Sequence, residues 1–126
     1  MTLYEYLKMA DNDFDTYDTE YDAEVTVCYI DEENDEYDKF CNGIIKKVDV
    51  VKINGDTLTV NWCELIKRNM DKFKAFTAEH WYANCQYEDD EDEFIYQWIN
   101  EIHQYMAGYV SMDFYKTLNT FIDSLE

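Results

Sequence analysis

Between Asp11 and Asp38 the chain carries thirteen acidic residues and no lysine or arginine. A run of like charge this long repels itself, so a folded domain must hold the carboxylates apart on its surface or leave the segment as a tail. Five aromatics interrupt the run: Phe14, Tyr17, Tyr21, Tyr29 and Tyr37. Acidic segments that stay disordered are poor in aromatics. The stretch therefore reads as the working surface of a folded domain, and the rest of the chain as its scaffold.

The run divides into three parts. Asp11, Asp13 and Asp15, then Glu20, Asp22 and Glu24, recur at every second position, which in extended chain makes a regular row of negative charge. Glu24–Ile30 (EVTVCYI) is β-branched and alternating, and is expected to be a strand with Val25, Val27 and Tyr29 on one face. Asp31, Glu32, Glu33, Asp35, Glu36 and Asp38 form a second acidic lip, expected as a loop or one helical turn. A separate run, Glu88, Asp89, Asp90, Glu91, Asp92 and Glu93, stands ahead of a predicted helix, where the helix dipole favours negative charge.

The acids are unevenly spread. The formal net charge is -19, with 14 acids against 2 bases in residues 1–40, 5 against 7 in 41–87 and 10 against 1 in 88–126. Nucleic acid and anionic membrane should repel such a chain, and a basic partner should attract it. At 126 residues, 47% of them hydrophobic, the chain is one domain with enough apolar material for a core. The domain spans 1–126, with 11–22 a candidate mobile acidic segment. No apolar run approaches a membrane span and the N-terminus does not read as a signal peptide, so a cytoplasmic protein is expected. Cys28, Cys41, Cys63 and Cys85 contain no C-x-x-C and read as free thiols, two of them half-buried in strands.

Thr2 and Glu5 form a capping box ahead of a short helix over residues 2–10. Asn54-Gly55 between Ile44–Ile53 and Thr57–Trp62 is a strong hairpin signal. With Glu24–Ile30 this predicts a three-stranded antiparallel meander. After Trp62 the apolar period becomes helical. Leu65, Ile66, Met70, Phe73 and Trp81 mark one long helix, or two broken near Asn69–Asp71. Ile95, Trp98, Ile102 and Met106 mark a helix that stops at Gly108. Phe114, Leu118, Phe121 and Leu125 mark a last helix capped by Ser111. The expected fold class is α+β: a three-stranded antiparallel sheet, a short N-terminal helix and about three C-terminal helices packed on one face.

Catalytic chemistry finds little support. The two serines are Ser111, a predicted cap, and Ser124, neither in a nucleophile-elbow context. Three glycines cannot make a glycine-rich phosphate loop, and Arg68 is the only arginine. His80 and Cys85 do not have zinc-site spacing. No enzyme, cofactor or metal is expected. Residues 11–22 do place acids at positions 1, 3, 5 and 12 of an EF-hand pattern, but Thr16 stands where the sharp turn wants glycine and Asp22 where a bidentate glutamate is usual.

The acidic row has a geometric reading instead. Two residues of extended chain span about 6.6 Å, against a rise of about 3.4 Å per nucleotide along one DNA strand. Carboxylates at that pitch can occupy a lysine- and arginine-lined groove built for phosphates, and tyrosines among them can stack on arginine or fill base-sized pockets. The contact candidates are Asp11, Asp13, Asp15, Tyr17, Asp18, Glu20, Tyr21, Asp22, the 31–38 lip and the 88–93 run.

In its size, acidity, tyrosine content, lack of proline, and the runs YDTEYD, DEENDEYD and EDDEDE, the chain resembles the small inhibitors made by phages and mobile elements. It is similar in character to type II anti-CRISPR proteins and anti-restriction DNA mimics. This resemblance implies a stoichiometric inhibitor in the host bacterial cytoplasm that blocks the basic nucleic-acid channel of a Cas9-type CRISPR nuclease carrying guide RNA, without itself binding nucleic acid. The alternatives are an immunity or antitoxin-type protein that neutralises a basic toxin, and a divalent-ion module.

Overall fold

The computed structural model describes residues 1–10, 14–18, 23–27, 35–55, 57–80 and 90–126, with main chain alone at 10, 14, 15, 17, 18 and 57. It is α+β. In chain order the elements are α1 (Leu3–Ala10), β1 (Phe14–Asp18), β2 (Ala23–Val27), α2 (Glu36–Ile45), β3 (Val50–Asn54), β4 (Thr57–Val60), α3 (Trp62–Arg68), α4 (Met70–His80), α5 (Glu91–Met106) and α6 (Met112–Asp123).

The expected three-stranded meander is not what forms. The sheet has four strands in the order β2-β1-β4-β3. β1 pairs antiparallel with β2 and parallel with β4, and β3 pairs antiparallel with β4. The additional strand comes from the acidic run itself. Phe14–Asp18 (FDTYD) has weak strand propensity because of its aspartates, yet it occupies a central position with a hydrogen-bonded neighbour on each side. Pairing on both edges overrides local preference.

Thr16 shows how the centre is fixed. It pairs with Val25 on one side and Leu58 on the other, and all three are fully buried. Its hydroxyl donates to the Val25 carbonyl (2.7 Å) and accepts from the Trp62 indole N–H (2.9 Å), so a polar side chain in the core is satisfied twice. β2 alternates buried and exposed residues, with Ala23, Val25 and Val27 inward, so it turns one face to the core. α5 packs along β2.

A second correction concerns residues 36–53. Ile44–Ile53 reads as one strand, but the chain is helical through Ile45 and the strand begins only at Val50. Phe40, Cys41, Ile44 and Ile45 are buried and lie on one helical stripe, which explains the outcome. Asp35 caps this helix by accepting from the Asp38 N–H (2.9 Å). Cys41 and Cys63 are accordingly buried in helices, not half-buried in strands. Cys28 and Cys85 lie outside the described residues.

Local signals hold elsewhere. The Thr2 hydroxyl accepts from the Glu5 N–H (3.1 Å) and the Glu5 carboxylate accepts from the Thr2 N–H (3.3 Å). The β3–β4 hairpin closes at Asn54↔Thr57, with Gly55 at φ +62°, a conformation that favours glycine. The run after Trp62 breaks at Asn69, giving α3 and α4, so four helices and not three follow the sheet. Ser111 caps α6 by accepting from the Phe114 N–H, and Gly108 at φ +86° ends the turn after α5. Phe73, Phe76, Trp98 and Phe121 form the aromatic centre of the helical layer, with Phe76 stacked on Phe121 at 4.3 Å. No described helix is long and apolar enough to cross a membrane.

Candidate protein-binding surface

The acidic positions fall into three places. Asp15, Tyr17 and Asp18 belong to β1, so the extended backbone expected of the row holds over 14–18. A strand paired on both sides there is not an EF-hand loop, which is coil between two helices. Asp11, Asp13, Glu20, Tyr21, Asp22, Asp31, Glu32, Glu33, Glu88 and Asp89 lie outside the described residues.

Asp35, Glu36 and Asp38 form the N-terminus of α2. Beyond the Asp35 cap, Glu36 docks this end onto α6. Asn119 Nδ2 donates both to the Glu36 main-chain oxygen (2.9 Å) and to its carboxylate (2.8 Å), and Lys39 approaches the other carboxylate oxygen at 3.5 Å. The Asn119 hydrogen bond, helped by Lys39 and Lys116, holds the Glu36 carboxyl below its ordinary value. Next to it the Tyr37 hydroxyl donates to the Met106 carbonyl (2.6 Å), and its ring meets Tyr115 edge-on. This end of α2 is therefore pinned to the C-terminal end of α5.

Asp90, Glu91, Asp92 and Glu93 form the N-terminus of α5. Asp90 accepts from the Glu93 N–H (3.2 Å), Glu93 accepts from Gln97 (2.7 Å), and Glu91 lies 3.8 Å from Lys74 on α4. Negative charge here complements the helix dipole. α5 is 16 residues long, about 24 Å at a rise of about 1.5 Å per residue, and the two acidic helix starts lie at its opposite ends. The described acids thus make two acidic ends of the helical layer, one at each end of α5.

The cations are the part of the surface that sequence reasoning missed. Residues 46–74 read as a basic band that neutralises nearby acids. Lys74 does so with Glu91, but Lys47 Nζ donates to the Leu125 carbonyl (2.8 Å), Arg68 Nε to the Glu126 main-chain oxygen (2.7 Å), Arg68 Nη2 to the Lys47 carbonyl, and Lys72 Nζ to the Ser124 carbonyl. The buried Asn69 closes this clamp by pairing with the Glu126 N–H (2.9 Å) and main-chain oxygen (3.3 Å). The negative end of the α6 dipole explains the preference for cations. No local signal points to it, because the partners are 52 to 78 residues apart for the lysines. Lys46 and Lys8 both lie over the Tyr4 ring, at 4.6 and 5.7 Å.

Among the described residues no group of three or more His, Cys, Asp or Glu side chains is placed to hold a metal ion. The Cys63 thiol donates to Asn61 Oδ1 (2.8 Å), and the His80 ring lies tilted against Phe76 at 4.4 Å. No protein-family model, no curated protein and no solved structure matches the chain.

Proposed function

We propose that this protein is a stoichiometric inhibitor that binds a basic surface of another protein through its carboxylates and tyrosines. The observation that carries this reading is where the cations go. Among the described residues, Lys47, Arg68 and Lys72, three of the ten basic residues in a chain of net charge -19, donate to the main-chain carbonyls of Leu125, Lys47 and Ser124 and not to acidic side chains. Their charge tightens the fold at the end of α6, and the acids of the N-terminal third remain in large excess. A field of that sign speeds encounter with a basic partner and excludes competing nucleic acid.

The class resemblance of the sequence supplies the partner: the nucleic-acid channel of a CRISPR nuclease of the Cas9 type, loaded with guide RNA. Inhibition then consists of occupying a groove built for phosphates. No chemical step is required of this chain, and no cofactor. The separation of the two acidic helix starts supports contact at two points of such a channel.

The test is competition. Guide-loaded nuclease is immobilised, and binding of the full chain is followed with and without target duplex and over a range of salt. The reading expects one-to-one binding that weakens as salt rises and is displaced by duplex. Simultaneous occupancy by inhibitor and duplex would sink it. A chain that ignores such nucleases but captures a basic toxin would move the assignment to the immunity class.

A further inference from the structure

The turn from α5 to α6 is held at several points. Gly108 closes it at φ +86°, with its N–H on the Tyr105 carbonyl (3.2 Å). Ser111 opens α6, its hydroxyl accepting from the Phe114 N–H (3.3 Å). Between them Val110 packs against the core. From the side, Tyr37 of α2 donates to the Met106 carbonyl (2.6 Å), and a Cβ on Gly108 would touch its ring at 3.8 Å.

This fixed turn nevertheless presents two large side chains to solvent, one on each side of Val110 in sequence. Tyr109 is 75% exposed, the highest value among the large hydrophobic side chains of the described residues, and Met112 is 48% exposed. Single exposed apolar residues are ordinary. A tyrosine carried by a rigid turn is more than that, because it offers a large contact area with only two side-chain torsions to freeze.

The charge around the turn selects the partner. Asp113 is exposed in the first turn of α6, and Asp35 and Asp38 stand at the start of α2, which Tyr37 fastens to this corner. Against them stand Lys39 and Lys116, both within the field of the Glu36 carboxylate, and the corner stays negative. An aromatic face beside carboxylates suits a guanidinium, whose plane stacks on the ring while its N–H groups pair with carboxylate. An ammonium is a strongly hydrated point charge and gains less from the ring.

We propose that the α5–α6 turn docks an arginine of a basic protein partner, with Tyr109 as the stacking face, Met112 as an adaptable apolar flank, and Asp35, Asp38 and Asp113 as the counter-charge. That the partner is a basic protein rests on the inhibitor reading, whereas the choice of arginine rests on Tyr109.

The experiment is an NMR titration of the full chain with capped oligoarginine, and separately with oligolysine of equal length, at constant ionic strength. Oligoarginine should move the Tyr109 ring signals more than those of Tyr96, the other exposed tyrosine of the described residues. Its affinity, read at the Met112 methyl, should fall by about threefold or more in Y109A and hold in Y109F and Y96A. Oligolysine should bind the parent and Y109A alike. The ring signals of the parent serve as a readout that needs no variant. Oligoarginine that binds Y109A as tightly as the parent overturns the proposal, and so does an equal loss for both peptides or a parent chain that binds neither. An arginine site at Tyr109 in a chain that guide-loaded nuclease ignores would remove the inhibitor reading alone. Nuclease binding with no arginine preference at Tyr109 would remove this proposal alone.

Discussion

The indole N–H of Trp62 donates to the hydroxyl of Thr16 at 2.9 Å, and both side chains are fully buried. Thr16 sits in the middle of the acidic run and Trp62 opens α3, so one hydrogen bond joins the sheet's central strand to the helical layer. Trp98 repeats the device on Thr77, whose hydroxyl donates in turn to the Phe73 carbonyl. In both cases a threonine passes a tryptophan's hydrogen bond to a main-chain carbonyl that would otherwise keep a spare lone pair.

Replacing Thr16 with valine keeps the volume but strands the Trp62 N–H in the core. An unsatisfied buried donor costs about 1–3 kcal/mol. The T16V variant should lose stability of that order in urea unfolding, with the m-value unchanged. T77V should behave alike through Trp98. A T16V chain as stable as the parent would mean that the indole finds another acceptor, and the link between β1 and α3 would then be packing alone.

The C-terminal clamp makes a second expectation. Arg68 is its hub, bonded to the main-chain oxygens of both Glu126 and Lys47. R68Q removes the charge and most of the donors. Hydrogen bonds from charged groups contribute roughly 1.5–3 kcal/mol, less where water screens them as it does here. A loss of about 1 kcal/mol is expected, larger than for K72Q. Hydrogen exchange should rise first at Leu125 and Glu126, whose N–H groups donate to Ile122 and Asn69. Uniform loss of protection across α6 would show that the clamp holds the whole helix and not its end.

How much of this was legible follows from the range of each interaction. The Thr2–Glu5 box, the Ser111 cap, the Gly55 hairpin and the stripes of α5 and α6 are set within a few residues, and the sequence displays them. The parallel pairing of Thr16 with Leu58 joins positions 42 apart across a helix and two strands, and no local pattern announces it. α2 is obscured because Ile44–Ile53 is rich in β-branched residues and leads into the Asn54-Gly55 turn, while the helical stripe begins earlier, at Phe40. The acids at 35–38 and 90–93 read as surface charge, yet Asp35 and Asp90 cap helices and Glu36 bonds Asn119. Charge alone does not distinguish a carboxylate that faces a partner from one that finishes a helix.

Tyr115 offers a spectroscopic check on the core. Its hydroxyl donates to the Tyr105 carbonyl, and burial pushes its pKa up from 10.0 to about 12. A neutral acid whose folded pKa is raised contributes stability that is complete below the unfolded value and is lost as pH rises from 10 through 12. Ultraviolet titration of the tyrosines should therefore include a late component from Tyr115. That late component should vanish in Y115F, which should also lose less stability between neutral pH and pH 11 than the parent.

Glu36 and Glu5 set the acid side. Both carboxyls are held below the glutamate value of 4.5, Glu36 first by the Asn119 hydrogen bond and Glu5 first by the Thr2 N–H. A depressed carboxyl contributes stability that is complete above the unfolded value and is lost as pH falls through the folded one. Mild acidification also relieves repulsion in a chain of net charge -19. Relief of that repulsion works against the loss expected below about 4, where the bonded carboxyls protonate. N119A separates the two effects. It should raise the Glu36 pKa toward 4.5 in a carbon-detected NMR titration while leaving Glu5 unmoved. The acid limb of its stability curve should also become shallower. If the Glu36 carboxyl titrates in N119A as it does in the parent, the field of Lys39 and Lys116, and not the amide, holds this end of α2 to α6.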